Sequence, residues 1–188
     1  MHREKVKRLL KNYKKSYPSE LDIILKFEQF INSQTDCFKR SLLIGHITAS
    51  TWLVNSRKDS VLLLHHKKLN KWLQPGGHLD GNPDPLLEAL REASEETGIK
   101  NLEPISEEIF DIDLHLIPEF ETIPRHLHYD LRFLVQSHQN QLSLSNESNS
   151  LKWVPFSDVS IYNPEQSILR MLDKCLSYLG NSTDKQLI

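Results

Sequence analysis

Four glutamates lie close together on a predicted helix: Glu88, Glu92, Glu95 and Glu96. At roughly 100° per residue they share an arc of about 100° on the helix surface, beside a more apolar arc. Each like-charged i,i+4 pair destabilises a helix by about 0.2–0.5 kcal/mol, so a sequence selected for helix stability alone would not place them there. A bound divalent cation is the simplest compensation, and carboxylate oxygens suit hard ions such as Mg²⁺ or Mn²⁺.

The alternative is an acidic face that is simply solvated, and the neighbouring residues favour the metal site over it. Residues 74–77 read Gln-Pro-Gly-Gly, and a glycine turn there can bring bare backbone close to whatever the glutamates hold. Asn82 as N-cap and Pro83 as the first helical residue predict a helix over residues 83–97, which Gly98 ends. We therefore expect a metal-binding helix soon after a glycine turn.

The segment from residue 77 to residue 99 resembles the Nudix box, the signature of a family of hydrolases. The box consists of a glycine, a glutamate six residues later and, after seven more residues, the ending REUxEExGU, in which U is apolar. Gly77 and the ending REASEETGI from Arg91 to Ile99 match the defining positions, and Pro83 stands where the family usually has glutamate. Asp80 and Asp84 are the candidates to replace that missing charge.

This resemblance implies a fold, an activity and a set of site residues. The implied fold class is α/β (α+β), in which a mixed β-sheet is sandwiched between helices. The activity is divalent-metal-dependent hydrolysis of a nucleoside diphosphate linked to another moiety, by attack of water at phosphorus. By position, Glu92 and Glu96 are metal ligands, and Glu95 is a ligand or the general base. The carbonyl of Gly76 is a further ligand, and Arg91 orients a carboxylate.

Members of the family often take one more carboxylate ligand from outside the box. Glu147 is our candidate because it precedes a predicted strand, and an exposed loop acid is the alternative interpretation. Nudix folds also serve as ligand-sensing or partner-binding modules without significant hydrolysis, usually after the loss of box carboxylates. The retention of Glu92, Glu95 and Glu96 favours the enzyme.

Histidine is the second unusual feature, with nine in the chain. The period of a strand places His126, His128, Asp130 and Arg132 on one face, and His78 directly follows the two glycines. These groups suit phosphate binding, or a second metal site of His126, His128 and Asp130 for an ion such as Zn²⁺ or Mn²⁺. An exposed polar face of an antiparallel strand is the alternative.

The spacing of apolar residues predicts two helices before the domain, the first with an inward stripe of Val6, Leu9, Leu10 and Tyr13. We assign residues 1–40 to an N-terminal helical extension, 41–180 to the Nudix hydrolase domain and 181–188 to a polar C-terminal tail. Strands are predicted at residues 42–54, 61–66, 105–116, 126–136 and 151–154. A last helix is predicted from residue 163 to just before Gly180.

Composition narrows the class of protein. The 188 residues, 38% hydrophobic and 26% charged, are enough for one sizeable core, and a net charge of −2 argues against general nucleic-acid binding. Cys37 and Cys175 show no metal-ligand spacing, which indicates reduced, structural thiols. No apolar run approaches the roughly 20 residues that span a bilayer. We expect a cytoplasmic protein that acts on a nucleotide-derived small molecule and has no membrane partner. The sequence leaves open whether the protein forms a homodimer.

Overall fold

A computed structural model of the chain describes residues 2–119, 121–139, 141–146 and 148–184. It divides into two compact units. The first unit comprises Met1–Thr51, Gly76–Glu92 and Ser106–Phe133. The second unit comprises Trp52–Pro75, Ala93–Ile105 and Leu134–Ile188.

Helices and strands follow one another in separate runs along the chain, as expected of an α+β fold. The helices are α1 Glu4–Ser16, α2 Leu21–Ser33, α3 Pro85–Thr97, α4 Val159–Tyr162 and α5 Gln166–Asp184. The strands are β1 Gly45–Val54, β2 Ser60–His66, β3 Lys71–Leu73, β4 Gly76–His78, β5 Leu102–Pro104, β6 Asp111–Ile117, β7 His126–Ser137 and β8 Ser148–Pro155.

In the first unit the sheet contains both parallel and antiparallel contacts. Strand β1 pairs with β4, and β6 with β7, in antiparallel register. Between β1 and β7, the amide of Leu127 donates to the carbonyl of Ile44, and the hydroxyl of Thr48 donates to Asp130. From the first contact to the second, the residue number rises in both strands, from Ile44 to Thr48 and from Leu127 to Asp130, as it does in a parallel pair. The predicted mixed sheet with N-terminal helices is therefore confirmed.

Helices α1 and α2 belong to the same unit, and their apolar sides are buried. The predicted stripe of α1, from Val6 to Tyr13, is confirmed, because each of its four residues is at most 2% exposed. In α2, Phe27 and Phe30 pack against Tyr129 of β7, with ring centroids 5.2 and 3.9 Å apart. These contacts explain why the two N-terminal helices fold together with the strands of this unit.

In the second unit, β2 pairs with β3 on one side and with β8 on the other, both antiparallel.

The strand predicted at residues 105–116 is wrong over its first six residues. Strand β5 ends at Pro104 and β6 covers Asp111–Ile117, so residues 105–110 form a break between two strands. The break has a local cause, because the amide of Glu108 donates to the hydroxyl of Ser106 in a turn between β5 and β6. A side chain that bonds its own backbone competes with the sheet.

Two glycines show why one predicted helix end is right and the other wrong. Gly98 has a φ of 74° and directly follows the last residue of α3, as predicted. Gly180 is not among the residues with positive φ, and α5 continues through it to Asp184. A glycine ends a helix only where it adopts the left-handed conformation.

Both cysteines are free and buried, as predicted for structural thiols. Burial raises the pKa of the Cys37 and Cys175 thiols to about 11, which keeps them protonated at neutral pH. Among the described helices, none combines the length and the apolar character needed to cross a bilayer.

Candidate functional site

Helix α3 begins two residues later than predicted. The backbone carbonyl of Asp84 accepts from the amide of Glu88, and its carboxylate accepts from the amide of Leu87 at 3.3 Å. Asp84 is therefore the N-cap and Pro85 the first helical residue. The side chain of Asn82, the predicted cap, instead accepts from the amide of Asp84 at 3.0 Å, so it shapes the entry to the helix.

The acidic stripe on α3 is not a solvated face. Glu88 and Glu96 are each only 7% exposed, Glu92 is half-buried and Glu95 is exposed. A buried carboxylate is stable only where hydrogen bonds or cations compensate for the lost hydration. The simple solvated-face interpretation is therefore wrong for Glu88 and Glu96.

Arg91 holds two of these carboxylates together. Its Nε donates to Glu88 Oε2 at 2.6 Å, and its terminal nitrogen donates to Glu92 Oε1 at 2.5 Å. Asn82 donates to the other oxygen of Glu88, also at 2.6 Å. Charge-assisted hydrogen bonds of this kind are stronger than neutral ones, so they fix the position of the Glu92 carboxylate.

Gly76 and Gly77 form strand β4, rather than the predicted turn, and pair with Ser50 and Ala49 of β1. A Cβ atom added at Gly76 would lie 2.3 Å from the Cβ of Ser50, so only glycine allows this close pairing. A Cβ atom added at Gly77 would lie 2.5 Å from the carboxyl carbon of Glu92. The backbone of β4 thus lies directly against Glu92, the first glutamate of the motif ending REASEETGI.

We expect Gly77→Ala to impair the site without unfolding the protein. The atom that must move is the end of a flexible side chain, so Glu92 can shift its carboxylate at small cost in stability. The shifted carboxylate no longer lies where Arg91 holds it. The apparent affinity for Mg²⁺ should fall by about 10-fold or more, as for the loss of a supporting contact at a metal site.

The matched control for this substitution is Gly180→Ala, because nothing lies within 4 Å of a Cβ atom at that position. Mg²⁺ titrations of both variants, with thermal melts, separate the two effects. An unchanged Mg²⁺ affinity in Gly77→Ala would show that the contact with Glu92 does not matter for metal binding.

The two candidates to replace the charge missing at Pro83 have other direct partners. Both carboxylate oxygens of Asp80 accept from Arg40, and this pairing lowers the pKa of Asp80, with a smaller effect from the charge of Arg91. Asp84 pairs with Lys5 at 2.5 Å. The direct contact with Arg91 is instead made by Glu88, a residue outside the family pattern.

Sequence reasoning grouped His78, His126 and His128, and the structure adds His46 to them. We call these four residues the histidine cluster. His46 lies on β1, His78 on β4, and His126 and His128 on β7. The ring centroid of His46 lies 4.9, 4.9 and 4.7 Å from those of His78, His126 and His128. His46 was missed because only the pairing of β1 with its neighbours reveals its position.

Within the histidine cluster, His46 and His126 are buried, and His78 and His128 are half-buried. Burial, reinforced by His78, lowers the pKa of His46 to about 4. Burial, reinforced by His46 and the other nearby histidines, lowers the pKa of His128 to about 2. Both imidazoles are therefore neutral at pH 7, so they do not act as cationic phosphate donors.

The structure does not place Asp130 with the histidine cluster. Its carboxylate accepts from Thr48 at 3.0 Å, from Ser50 at 2.8 Å and from Arg132 at 2.9 Å. Arg132 also pairs with Asp111 and Asp113. Burial, the largest single effect, lowers the pKa of Arg132, but the three carboxylates together raise it.

The polar row on β7 is thus mostly interior. His126, Asp130 and Arg132 are at most 7% exposed, so the exposed-strand alternative is wrong for them. The remaining candidate, Glu147, lies outside the described residues, and its role stays a prediction.

Comparisons with known proteins agree with this fold. A family model described as the NUDIX domain matches residues 45–174. The match covers well over half of the chain, and the chain therefore belongs to the Nudix family.

A curated protein with a pyrophosphohydrolase name matches part of the chain. Over 91 residues the chain is 30% identical to a probable DHNTP pyrophosphohydrolase of Lactococcus lactis subsp. cremoris (strain MG1363), and the match covers 47% of this chain and 54% of that protein. The chain spans about half the length of this curated relative.

Two solved structures share the fold. A NUDIX family hydrolase from Clostridium perfringens is 28% identical with a TM-score of 0.56, and the match covers 71% of this chain and 97% of that one. The binary complex of a C. elegans Ap4A hydrolase is 20% identical with a TM-score of 0.54, and the match covers 72% and 98% of the two chains.

Proposed function

We propose that the protein is a Nudix pyrophosphohydrolase that uses Mg²⁺ or Mn²⁺ to cleave a diphosphate bond in a nucleotide-derived small molecule. One observation carries this proposal: Arg91 holds the carboxylate of Glu92 against the bare backbone of Gly77. Family membership and the pyrophosphohydrolase name of the relative from Lactococcus lactis support it.

The residues present fit a hard divalent cation. Glu92, Glu95 and Glu96 lie on one helix, and the burial of Glu96 is compatible with a carboxylate that binds a cation. We assign these three glutamates and the carbonyl of Gly76 as the ligands. All of them donate oxygen, which Mg²⁺ and Mn²⁺ prefer.

Cleavage of a diphosphate requires neutralised phosphoryl oxygens, an aligned water molecule and a base. A bound divalent cation supplies the neutralisation and lowers the pKa of water. Among the three glutamates, Glu95 is the exposed one, and it can pass a proton on to solvent. We therefore assign Glu95 as the base, with Arg91 holding Glu92 in place.

We further propose that Glu88 takes over the part of the glutamate that is absent at position 83. It is buried, and Arg91 and Asn82 bind its two oxygens. Glu88 is a positioning residue, because it acts on the site through Arg91. The box can then tolerate Pro83 without leaving Arg91 unsupported.

Glu88→Gln is expected to lower turnover by about 10-fold to 100-fold, the range for the loss of a supporting partner at a metal site. Because the change acts through Arg91, it should also weaken Mg²⁺ binding, which a purely structural role would not affect. Asp80→Asn and Asp84→Asn are the matched controls and should stay within about twofold of the natural protein. If Asp80→Asn or Asp84→Asn lowered turnover more than Glu88→Gln does, the aspartates and not Glu88 would be the residues that position Arg91.

The proposed activity can be tested with a panel of substrates in the presence of Mg²⁺. The panel contains nucleoside diphosphate derivatives together with DHNTP and Ap4A, because two relatives carry those names. Each compound is incubated with the natural protein and with Glu92→Gln, and the products are separated chromatographically. Hydrolysis by the natural protein alone supports the proposal, whereas binding without hydrolysis across the panel would favour a ligand-sensing module.

A further inference from the structure

Three histidines from three different strands meet inside the first unit. His46 comes from β1, His78 from β4 and His128 from β7, and their potential ligand atoms all lie within 4.8 Å of one another. We propose that these histidines form a binding site for a transition-metal ion, with Zn²⁺ as the expected occupant and His126 as the fourth ligand. This site is distinct from the carboxylates of α3 and does not depend on the proposed hydrolysis.

His46 gives the strongest reason to expect a ligand here. His46 is only 2% exposed, and among the described residues neither ring nitrogen makes a hydrogen bond of normal length and angle. The backbone of Leu42 lies near enough to oppose the fall that burial causes in the pKa of His46, but not to replace the bonds to water. A buried imidazole without a partner is unfavourable, because its nitrogens lose their bonds to water. Coordination of a metal ion through one nitrogen would compensate for that loss.

His126 is oriented as metal-binding histidines usually are. Its Nδ1 lies 2.8 Å from the carbonyl oxygen of Pro124, and because a carbonyl only accepts, Nδ1 carries the proton. The lone pair of the neutral ring is then on Nε2. A hydrogen bond from the other nitrogen to a backbone carbonyl is the usual support for a metal-binding imidazole.

The spacing of the nitrogens suits a small tetrahedral ion. Nε2 of His126 lies 3.2 Å from Nε2 of His128. Two imidazole nitrogens on one tetrahedral Zn²⁺, each bonded at about 2.0–2.1 Å, are about 3.3 Å apart. This pair is therefore already at the separation that zinc requires, whereas the ligand atoms of His46, His78 and His128, which lie within 4.8 Å of one another, would close towards it when an ion binds.

The ligand atoms of this site are nitrogens, whereas those assigned to Mg²⁺ are oxygens. The cluster offers imidazoles only, since the nearby carboxylate of Asp130 is bound by Thr48, Ser50 and Arg132. Imidazole favours Zn²⁺ and related ions, whereas Mg²⁺ requires oxygen ligands. An ion held here would connect β1, β4 and β7. His78 directly follows Gly77, whose backbone lies against the carboxylate of Glu92.

The test uses the full chain without an affinity tag, freed of metal and kept in excess Mg²⁺. Zn²⁺ is titrated in competition with a chromogenic chelator, and Co²⁺ is added separately for its visible absorption, which is intense in tetrahedral sites. The variants are His78→Gln and His128→Gln, at half-buried positions that tolerate substitution better than His46. The controls are His138→Gln, an exposed histidine outside the cluster, and Glu92→Gln.

We expect one Zn²⁺ per chain and a tetrahedral Co²⁺ spectrum. His78→Gln and His128→Gln should each weaken Zn²⁺ binding by at least about 100-fold, the upper end of the loss seen when only a supporting partner is removed. Zn²⁺ at about 100 times its dissociation constant should raise the melting temperature of the natural protein by about 5–10 °C, and not that of the two variants.

Zn²⁺ binding that survives both cluster substitutions, or that is lost in Glu92→Gln, would overturn the proposal. A natural protein that binds Zn²⁺ no more tightly than His78→Gln and His128→Gln would also overturn it, and so would a loss of Zn²⁺ binding in His138→Gln as large as in those two variants. Because none of these readouts measures hydrolysis, a failure of the proposed pyrophosphohydrolase activity would not affect them.

Discussion

Glu92→Gln and Glu96→Gln are each expected to lower turnover by about 10³-fold, equivalent to about 4 kcal/mol of transition-state stabilisation. Glutamine keeps the size of the side chain but removes the negative charge that holds a divalent cation. The fold should remain intact, because the substitution also relieves repulsion between like charges at i,i+4, worth about 0.2–0.5 kcal/mol per pair.

Turnover of the best substrate from the panel measures this effect, with thermal melts as the check on folding. Glu107→Gln is the matched control, since it makes the same chemical change at an exposed glutamate away from α3. Near-normal turnover in both α3 variants would contradict the assignment of these glutamates as metal ligands.

The second large effect concerns stability. Arg132→Met is expected to lower the free energy of unfolding by about 3–5 kcal/mol, because it removes the cation from a buried group of carboxylates. Arg132 lies 2.9 Å from Asp130 and 3.1 Å from Asp111, and Asp111 is fully buried. Once the guanidinium is gone, these carboxylates lose their compensating charge.

Urea denaturation measures this loss, and Arg125→Met is the matched control. Arg125 is exposed and lies just before β7, so its replacement should change the stability by less than about 0.5 kcal/mol. Arg132→Lys should fall between the two, because lysine keeps the charge but lacks the planar fork that reaches several carboxylates. A loss below about 1 kcal/mol in Arg132→Met would mean that the ion pairs contribute little.

The sequence revealed α3 and its acidic stripe because a dense motif and a helical period coincide there. Its start was misplaced by two residues, since the Asn82-Pro83 and Asp84-Pro85 pairs give the same local signal. Only the tertiary contacts distinguish them. Strands β3 and β4 have three residues each, which is too short for a period of two to be recognised.

The parts of the site that sequence reasoning missed depend on contacts between distant residues. His46 is an isolated histidine in the sequence, and it joins the cluster only because β1 lies between β4 and β7. Glu88 was recognised as part of the acidic stripe, but its role follows from the hydrogen bonds of Arg91 and Asn82. Asp130 was grouped with the histidines by strand period, although register places its carboxylate against Thr48 and Ser50.

The most direct test of the central claim is the dependence of hydrolysis on a divalent cation. The protein is freed of metal with EDTA, assayed with the best substrate from the panel, and then titrated with Mg²⁺ and, separately, Mn²⁺. We expect no measurable turnover without metal and a saturable return of activity with either ion. Full activity in EDTA, or no turnover at any metal concentration, would contradict the assignment of this protein as a metal-dependent Nudix pyrophosphohydrolase.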